Sequence, residues 1–272
     1  MINNRISLSV ENHVAHVVLS RPEKMNALDN EMFAAIPMVG EEIRGDKSIR
    51  AVVVSGDGGN FCAGLDKSNF SSMLDNKGLS LGGDEPSSAL AERTHGVANA
   101  AQYAVWMWRE LPMPVIAAIE GFCLGGGLQI GLGADFRYAS IDSQFSILEM
   151  RWGIVPDMGS TQIMRHLVRD DIIRELTYTA KLFGAKQAKE WGFITDIVDD
   201  PVAHAIKVAE QIAHKNPDAI RAAKKILDNS HYLTVQQGLL MESVEQDKIM
   251  GSENQIEAVM AEFEKRKPNF KD

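Results

Sequence analysis

Several things are scarce in this sequence, and each scarcity removes a class of function. It has two cysteines, Cys62 and Cys123, both in apolar context. Two are too few for a disulfide framework, so reduced, buried thiols and a cytoplasmic setting are expected. No apolar run reaches the roughly 18 residues that a spanning helix needs, so no membrane segment is expected. The opening stretch, MINNRISLSVENHVAHVVLS, lacks an apolar core between a basic end and a small-residue cleavage site, and reads as mature chain rather than signal peptide. Basic charge is in deficit: 28 Lys and Arg against 37 Asp and Glu give a net charge of −9. With no basic stripe interleaved with aromatics, nucleic acid is not an expected partner. The seven histidines, His13, His16, His95, His166, His204, His214 and His231, are scattered with no partner at metal-ligand spacing, so no metal site is expected.

What is present is an ordinary globular balance. The chain has 272 residues, 45% hydrophobic and 24% charged, enough for one large domain or one domain with an appendage. ISLSVENHVAHVVLS alternates on both sides of Glu11-Asn12 and reads as a two-stranded hairpin. RPEKMNALD is a loop. NEMFAAIPMVGEEIR, from Asn30 to Arg44, has helical spacing that Pro37 should disturb. AVVVSGD is a short buried strand, followed by a glycine-containing turn. Residues 67–90, polar and rich in Ser, Gly and Asp, read as a long loop, and a helix follows from about Ser87 to Glu110. VIAAIEGFC reads as a buried strand, FRYAS and SQFSILE as further short strands, DDIIRELTYTA and AKQAKEWG as helices, and ITDIV as a late strand. From Pro201 only helices are expected. One opens with Asn216 as N-cap, Pro217 at its first position and Asp218 in its first turn. In another, Ile256, Val259, Met260 and Phe263 share one face, which folds back on the core or meets another subunit.

Between two apolar stretches stand Gly125, Gly126 and Gly127, with Gln129 just beyond. Glycine loses more freedom on folding than other residues, so three in a row need a reason. A strand running through glycines into a helix presents free backbone N–H groups at a positive helix end. Phosphate binding and stabilisation of a developing oxyanion both use such groups, and close helix–strand packing without any ligand is the structural alternative. The dinucleotide fingerprint fails, because Ile130 stands where its last glycine belongs, and no Walker-type motif occurs. A second glycine turn, FCAGLD after the strand AVVVSGD, offers a further amide at Leu65. Two such turns are able to aim two N–H groups at one oxygen.

RPEKMNALD, FCAGLD, PVIAAIEGFCLGGGLQIGLGADFRYAS and SQFSILEMRWGIVPDMGSTQ, in this order and spacing, resemble the crotonase (enoyl-CoA hydratase/isomerase) superfamily. The resemblance runs over nearly the whole chain, including the ending FEKRKPNFKD. It implies an α/β fold, a spiral of repeated strand–strand–helix (ββα) units over residues 1–198 that binds acyl-CoA and carries catalysis. It also implies a C-terminal helical region, 199–272, that builds homotrimers, often paired as hexamers. The implied ligand is an acyl-CoA thioester, with no cofactor beyond the CoA that belongs to the substrate. By position, the thioester oxygen would accept from the backbone N–H groups of Leu65 and Gly126, with Ala63 and Asp66 beside them as substrate-binding positions. Each such donor is worth about 2.7–4 kcal/mol to an oxyanion. Lys265 matches a family lysine that reaches the CoA phosphates of a neighbouring subunit; otherwise it is a solvated lysine in a charged tail.

The proton-transfer residues depart from the hydratase pattern. Typical hydratases carry two glutamates; this chain keeps Glu149 and has Gln129 in the other place. Adding water across a double bond normally uses two carboxylates, and Gln129 takes no proton, though it is able to hold a water or substrate. Asp157, in GIVPDMGS, matches a position where dienoyl-CoA isomerases of the family, and an epoxyphenylacetyl-CoA isomerase branch, carry an acid; its local alternative is turn chemistry after Pro156. Glu149 and Asp157 are therefore the expected catalytic pair, and double-bond isomerisation is favoured over hydration, with hydration by the same pair as the alternative. Hydrolysis, decarboxylation and Dieckmann-type closure pass through the same enolate. A non-catalytic acyl-CoA-binding protein is the reading from another class. If Ile147, Leu148, Met150 and Trp152 wall Glu149 off from water, its pKa should rise. Phe70, Met73, Tyr103, Trp106 and Trp108 are the aromatic and thioether candidates for the acyl pocket.

Overall fold

The computed structural model describes residues 1–69 and 90–272. The alternating opening forms the expected hairpin: β1 (Ile6–Glu11) and β2 (Val14–Leu19) pair antiparallel, Ile6 opposite Leu19. A 3-10 turn, Pro22–Lys24, leads to α1 (Asn30–Gly45). Asp29 caps α1 by accepting the Met32 N–H. The helix runs through Pro37 unbroken, contrary to the disturbance its sequence implies. Tertiary packing outweighs the lost hydrogen bond: Met32, Phe33, Ile36, Val39 and Ile43 are all buried on one side. At Gly40 the helix lies so near its neighbour that a Cβ there would overlap Met107.

β3 (Ala51–Gly56) is followed by the 62–65 turn. Residues 67–69 are helical rather than loop, and the rest of the expected 67–90 loop, with Phe70 and Met73, lies outside the described residues but for Leu90, which stands in a turn. α2 (Ala100–Glu110) starts later than periodicity implies. Asn99 and Gln102 form a capping box that fixes the start, and residues 90–99 before it are turn and loop.

The apolar run after Pro114 is two strands, not one. β4 (Val115–Ile119) and β5 (Phe122–Leu124) part at Gly121, whose φ of +53° turns the chain into a different sheet. Then come α3 (Gly126–Gly133), β6 (Phe136–Ala139), β7 (Gln144–Ser146), a 3-10 turn at Glu149–Trp152 and α4 (Ser160–Met164). α5 (Asp170–Thr179), β8 (Phe183–Gly184), α6 (Ala185–Trp191) and β9 (Asp196–Ile197) follow. The chain ends in α7 (Pro201–Ala213), α8 (Pro217–Ser230), α9 (Val235–Ile249) and α10 (Glu253–Phe263). Asn216 caps α8 through the Asp218 and Ala219 N–H groups, as read from sequence.

The main sheet has the order β1-β2-β3-β4-β6-β9, parallel except for the first hairpin. A second sheet has the order β5-β7-β8. Strand alternation divides the core into two. Val52, Val54, Val115, Ala117 and Ile119 face α1–α3, while Ala51, Val53, Ile116 and Ala118 face α7 through Ala205, Ala209 and Ala213. The C-terminal end folds back: Arg50, 7% exposed, donates to Asp272 and to the Phe270 carbonyl. The apolar face of α10 stays uncovered in the single chain, with Phe263 78% exposed.

Candidate active site

Two glycine turns are laid against each other. Leu28 and Leu65 form a parallel bridge, as do Cys62 and Cys123, so the 62–65 turn is held between the RPEKMNALD loop and β5. Cys62 N–H donates to Phe122 O, and Leu124 N–H donates to Cys62 O. This contact explains the glycines. A Cβ on Gly127 would lie 2.3 Å from the Cys62 carbonyl oxygen, which is backbone and has no way to swing aside. Gly125 caps α3 at φ +50°, ψ −122°, a conformation side chains disfavour.

The same bonds decide where the amides point. The Gly64 carbonyl accepts from Leu28 N–H, so across the planar trans peptide the Leu65 N–H points the opposite way. The Gly125 carbonyl accepts the first bond of α3, from Gln129 N–H, which leaves the Gly126 N–H projecting from the helix start. Neither N–H makes a hydrogen bond among the described residues. A Cβ on Gly64 would stand 3.4 Å from Gly126 N, which places the two turns in contact.

Glu149 lies beside them: a Cβ on Gly125 would be 3.5 Å from its Oε1. Glu149 is the first residue of a 3-10 turn, not the end of a strand, because β7 stops at Ser146. It is 6% exposed. Burial pushes its pKa up, the nearby backbone dipoles of Glu149 and Leu148 and the hydrogen bond from Gln129 pull it back, and the charge of Asp157 adds to the rise; the net direction is upward. Asp157, half-buried, is also pushed up by burial. The expected dry surround is only partly there: Ile147 is buried, but Trp152 is 45% exposed.

Gln129 is buried on α3, one turn past the glycines, and its amide is engaged by protein. Nε2 donates to Glu149 Oε1 at 2.7 Å, while Oε1 accepts from Met158 N–H at 3.0 Å and from Ser160 Oγ at 2.8 Å. The amide thus ties together α3, the Glu149 turn and the Asp157–Ser160 turn.

Asp66 follows Leu65 and is likewise engaged. It accepts from Arg21 at 2.6 Å and from the side chain and backbone of Ser68. Burial opposes its charge, but the Ser68 and Arg21 hydrogen bonds prevail and hold its pKa at about 2. Arg21 also approaches Asp29, which Arg5 grips through Nε and Nη2. Ala63 N–H donates to Met25 O. So Leu65, Gly126, Gln129, Glu149 and Asp157 come together, with Ala63 and Asp66 flanking Leu65. Lys265 stands apart on the C-terminal tail, exposed, at φ +52°.

Sequence reasoning missed two holders of the site. Arg21 had a signal, its place in the RPEKMNALD motif. Ser160 likewise lies in the SQFSILEMRWGIVPDMGSTQ motif, but its pairing with Gln129, 31 residues away, has no local signal. Of the acyl-pocket candidates, Trp108 is core at 1% exposure, and Tyr103 is buried against Arg44 and Glu41. Among the described candidates Trp106 stands next to the site, 3.6 Å from a Cβ placed on Gly159. Cys62 and Cys123 are buried and unpaired, as expected. Burial pushes the Cys62 thiol up to about 12. Among the described residues no cluster of metal-ligating side chains occurs, and no helix is long and apolar enough to cross a membrane.

A mixed α/β core with two glycine turns meeting over a buried glutamate defines a protein of the crotonase fold. The enoyl-CoA hydratase/isomerase family model matches residues 9–272, and the chain belongs to that family of enzymes. It is 31% identical over 271 residues to the peroxisomal Delta(3,5)-Delta(2,4)-dienoyl-CoA isomerase of Arabidopsis thaliana, covering 97% of this chain and 95% of the relative. It is 33% identical over 270 residues to a probable mitochondrial enoyl-CoA hydratase of the same plant, covering 98% and 84%. The crystal structure of an enoyl-CoA hydratase from Bacillus anthracis superposes with a TM-score of 0.85 at 28% identity, covering 98% of this chain and 99% of that one.

Proposed function

We propose that this enzyme moves a double bond along an enoyl- or dienoyl-CoA. The thioester oxygen would sit between the Leu65 and Gly126 N–H groups. Glu149, as carboxylate, removes a proton from the sp3 carbon next to the thioester carbonyl, or from the corresponding position one double bond further along. The electron pair runs to the thioester oxygen as an enolate, which the two donors stabilise by about 2.7–4 kcal/mol each. Glu149 or Asp157 then returns a proton at a different carbon, and no water enters or leaves. CoA arrives as part of the substrate, so the reaction calls for no separate cofactor.

One observation carries the preference for isomerisation. The group hydrogen-bonded to Glu149 is the amide of Gln129, which exchanges no proton. The second acid in electrostatic reach of Glu149 is Asp157. The 31% identity to a dienoyl-CoA isomerase supports the same reading, while the 33% identity to a probable hydratase makes hydration the competing outcome. The test is incubation with 2-enoyl-, 3-enoyl- and 3,5-dienoyl-CoAs, read by mass and ultraviolet absorbance. Migration at constant mass is expected. Gain of one water as the dominant product would replace this reading with hydration, and tight binding with no turnover would replace it with a binding protein.

The helical region 199–272 is proposed to assemble the chain into trimers or hexamers. Val235, Leu239, Leu240 and Phe263, all more than half exposed in the single chain, support this. Light scattering decides it, and a monomer at micromolar concentration would end the proposal. Lys265 is proposed to meet the CoA phosphates from a neighbouring copy, so Lys265→Ala should raise KM for CoA esters without lowering kcat.

A further inference from the structure

The orientation of the Gln129 amide follows from its partners. The backbone N–H of Met158 only donates, so the Gln129 atom 3.0 Å from it is oxygen. The Ser160 hydroxyl, 2.8 Å from the same atom, donates as well. The atom facing Glu149 is therefore the nitrogen, and Glu149 Oε1 is the acceptor at 2.7 Å. The other carboxyl oxygen, Oε2, is buried and has no hydrogen-bond partner among the described residues. In a neutral carboxylic acid the carbonyl oxygen is the better acceptor and the hydroxyl oxygen carries the proton.

From this geometry we infer that Gln129 is a positioning residue that assigns the exchangeable proton of Glu149 to Oε2, making Glu149 a proton carrier through one oxygen. As a role in turnover, this rests on the proton-transfer function proposed above for Glu149. The amide acts in both protonation states. It donates to the carboxylate when Glu149 is charged and to the carbonyl when Glu149 is neutral, so Oε1 stays fixed while Oε2 gains and loses the proton. Met158 N–H and Ser160 OH keep the amide from flipping, which would otherwise set its carbonyl against Oε1. A carboxylate at position 129 would retain both bonds to its own oxygen but would have to be protonated to donate to Glu149.

Two variants and two readouts test this. Gln129→Leu removes the donor; Gln129→Glu keeps the shape and makes donation depend on pH. In the free enzyme, infrared difference spectra against Glu149→Gln report the C=O stretch of neutral Glu149. Its band should move to higher frequency in Gln129→Leu, because the carbonyl loses its donor. In turnover, Gln129→Leu should lower kcat roughly 10- to 100-fold through misplacement of Glu149 while KM stays close to the parent value. Gln129→Glu should keep most activity at acid pH and lose it as pH rises and the introduced carboxyl ionises. An unmoved band in Gln129→Leu, or a Gln129→Glu profile parallel to the parent's through the alkaline range, overturns the inference. The infrared readout uses no substrate, so it stands even if double-bond migration is not found.

Discussion

Arg21 donates to Asp66 Oδ2 at 2.6 Å, one residue past the Leu65 amide that faces away from Leu28. The pair is about nine-tenths buried on both sides, and Arg21 is tied in turn to the Asp29 cap of α1. The first loop of the chain thereby fixes the direction of a backbone donor in the site.

Removing one partner leaves the other charge buried. Asp66→Ala should cost about 3 kcal/mol in urea unfolding and lower kcat/KM by loosening Leu65. The pH dependence has a defined sign. The folded pKa of about 2 lies below the usual aspartate value of 3.8, so the stabilisation, on the order of 2 kcal/mol, is complete above pH 4 and fades as pH falls towards 2. Asp66→Asn should flatten that acid slope; an unchanged slope would remove the ion pair from this role.

Glu149 carries the opposite sign. Its folded pKa is raised, chiefly by burial, so the acid stabilises the fold fully only below its ordinary pKa of 4.5 and loses that contribution as pH rises through the raised value. Glu149→Gln should therefore melt higher than the parent at pH 7 while kcat drops roughly 10²- to 10⁴-fold. Calorimetry and steady-state kinetics on one preparation check both; a variant that is less stable yet still active would contradict the assignment.

The adjacent glycines separate packing from chemistry. At Gly127 an added Cβ meets a backbone oxygen at 2.3 Å, whereas at Gly126 it meets the ends of Leu28 and Met158 at 2.8 and 3.1 Å, which are able to move. Gly127→Ala should cost about 1–3 kcal/mol or more by strain. Gly126→Ala should unfold nearer the parent midpoint yet lose turnover. Denaturant midpoints set beside kcat for the two variants reveal whether this order holds.

Asp157 is half-buried with a raised pKa. If it returns the proton, Asp157→Asn should slow isomerisation while hydrogen–deuterium exchange of the substrate's acidic carbon, driven by Glu149, continues in heavy water. Loss of exchange together with turnover would give Asp157 the first proton transfer instead. Retention of both would leave it a turn residue after Pro156.

Much of this protein is written locally. The hairpin, the buried strands, the cap at Asn216 and the glycine turns follow from alternation, capping chemistry and steric need, which depend on near neighbours in sequence. The clustering of Leu65, Gly126, Glu149 and Asp157 is what the family resemblance carried by four motifs implies. Other features had no local signal. Pro37 sits inside a continuous helix because burial of the α1 face outweighs one lost bond. The run after Pro114 splits at Gly121 because its halves pair with different strands. Gln129, open in sequence to holding water, is engaged by Met158 and Ser160, and those partners exist only once the chain has folded. Residue types and spacing determined which groups are able to do the chemistry. The tertiary structure decided which hydrogen bonds each one keeps, because a buried polar atom takes the partner that folding brings to it.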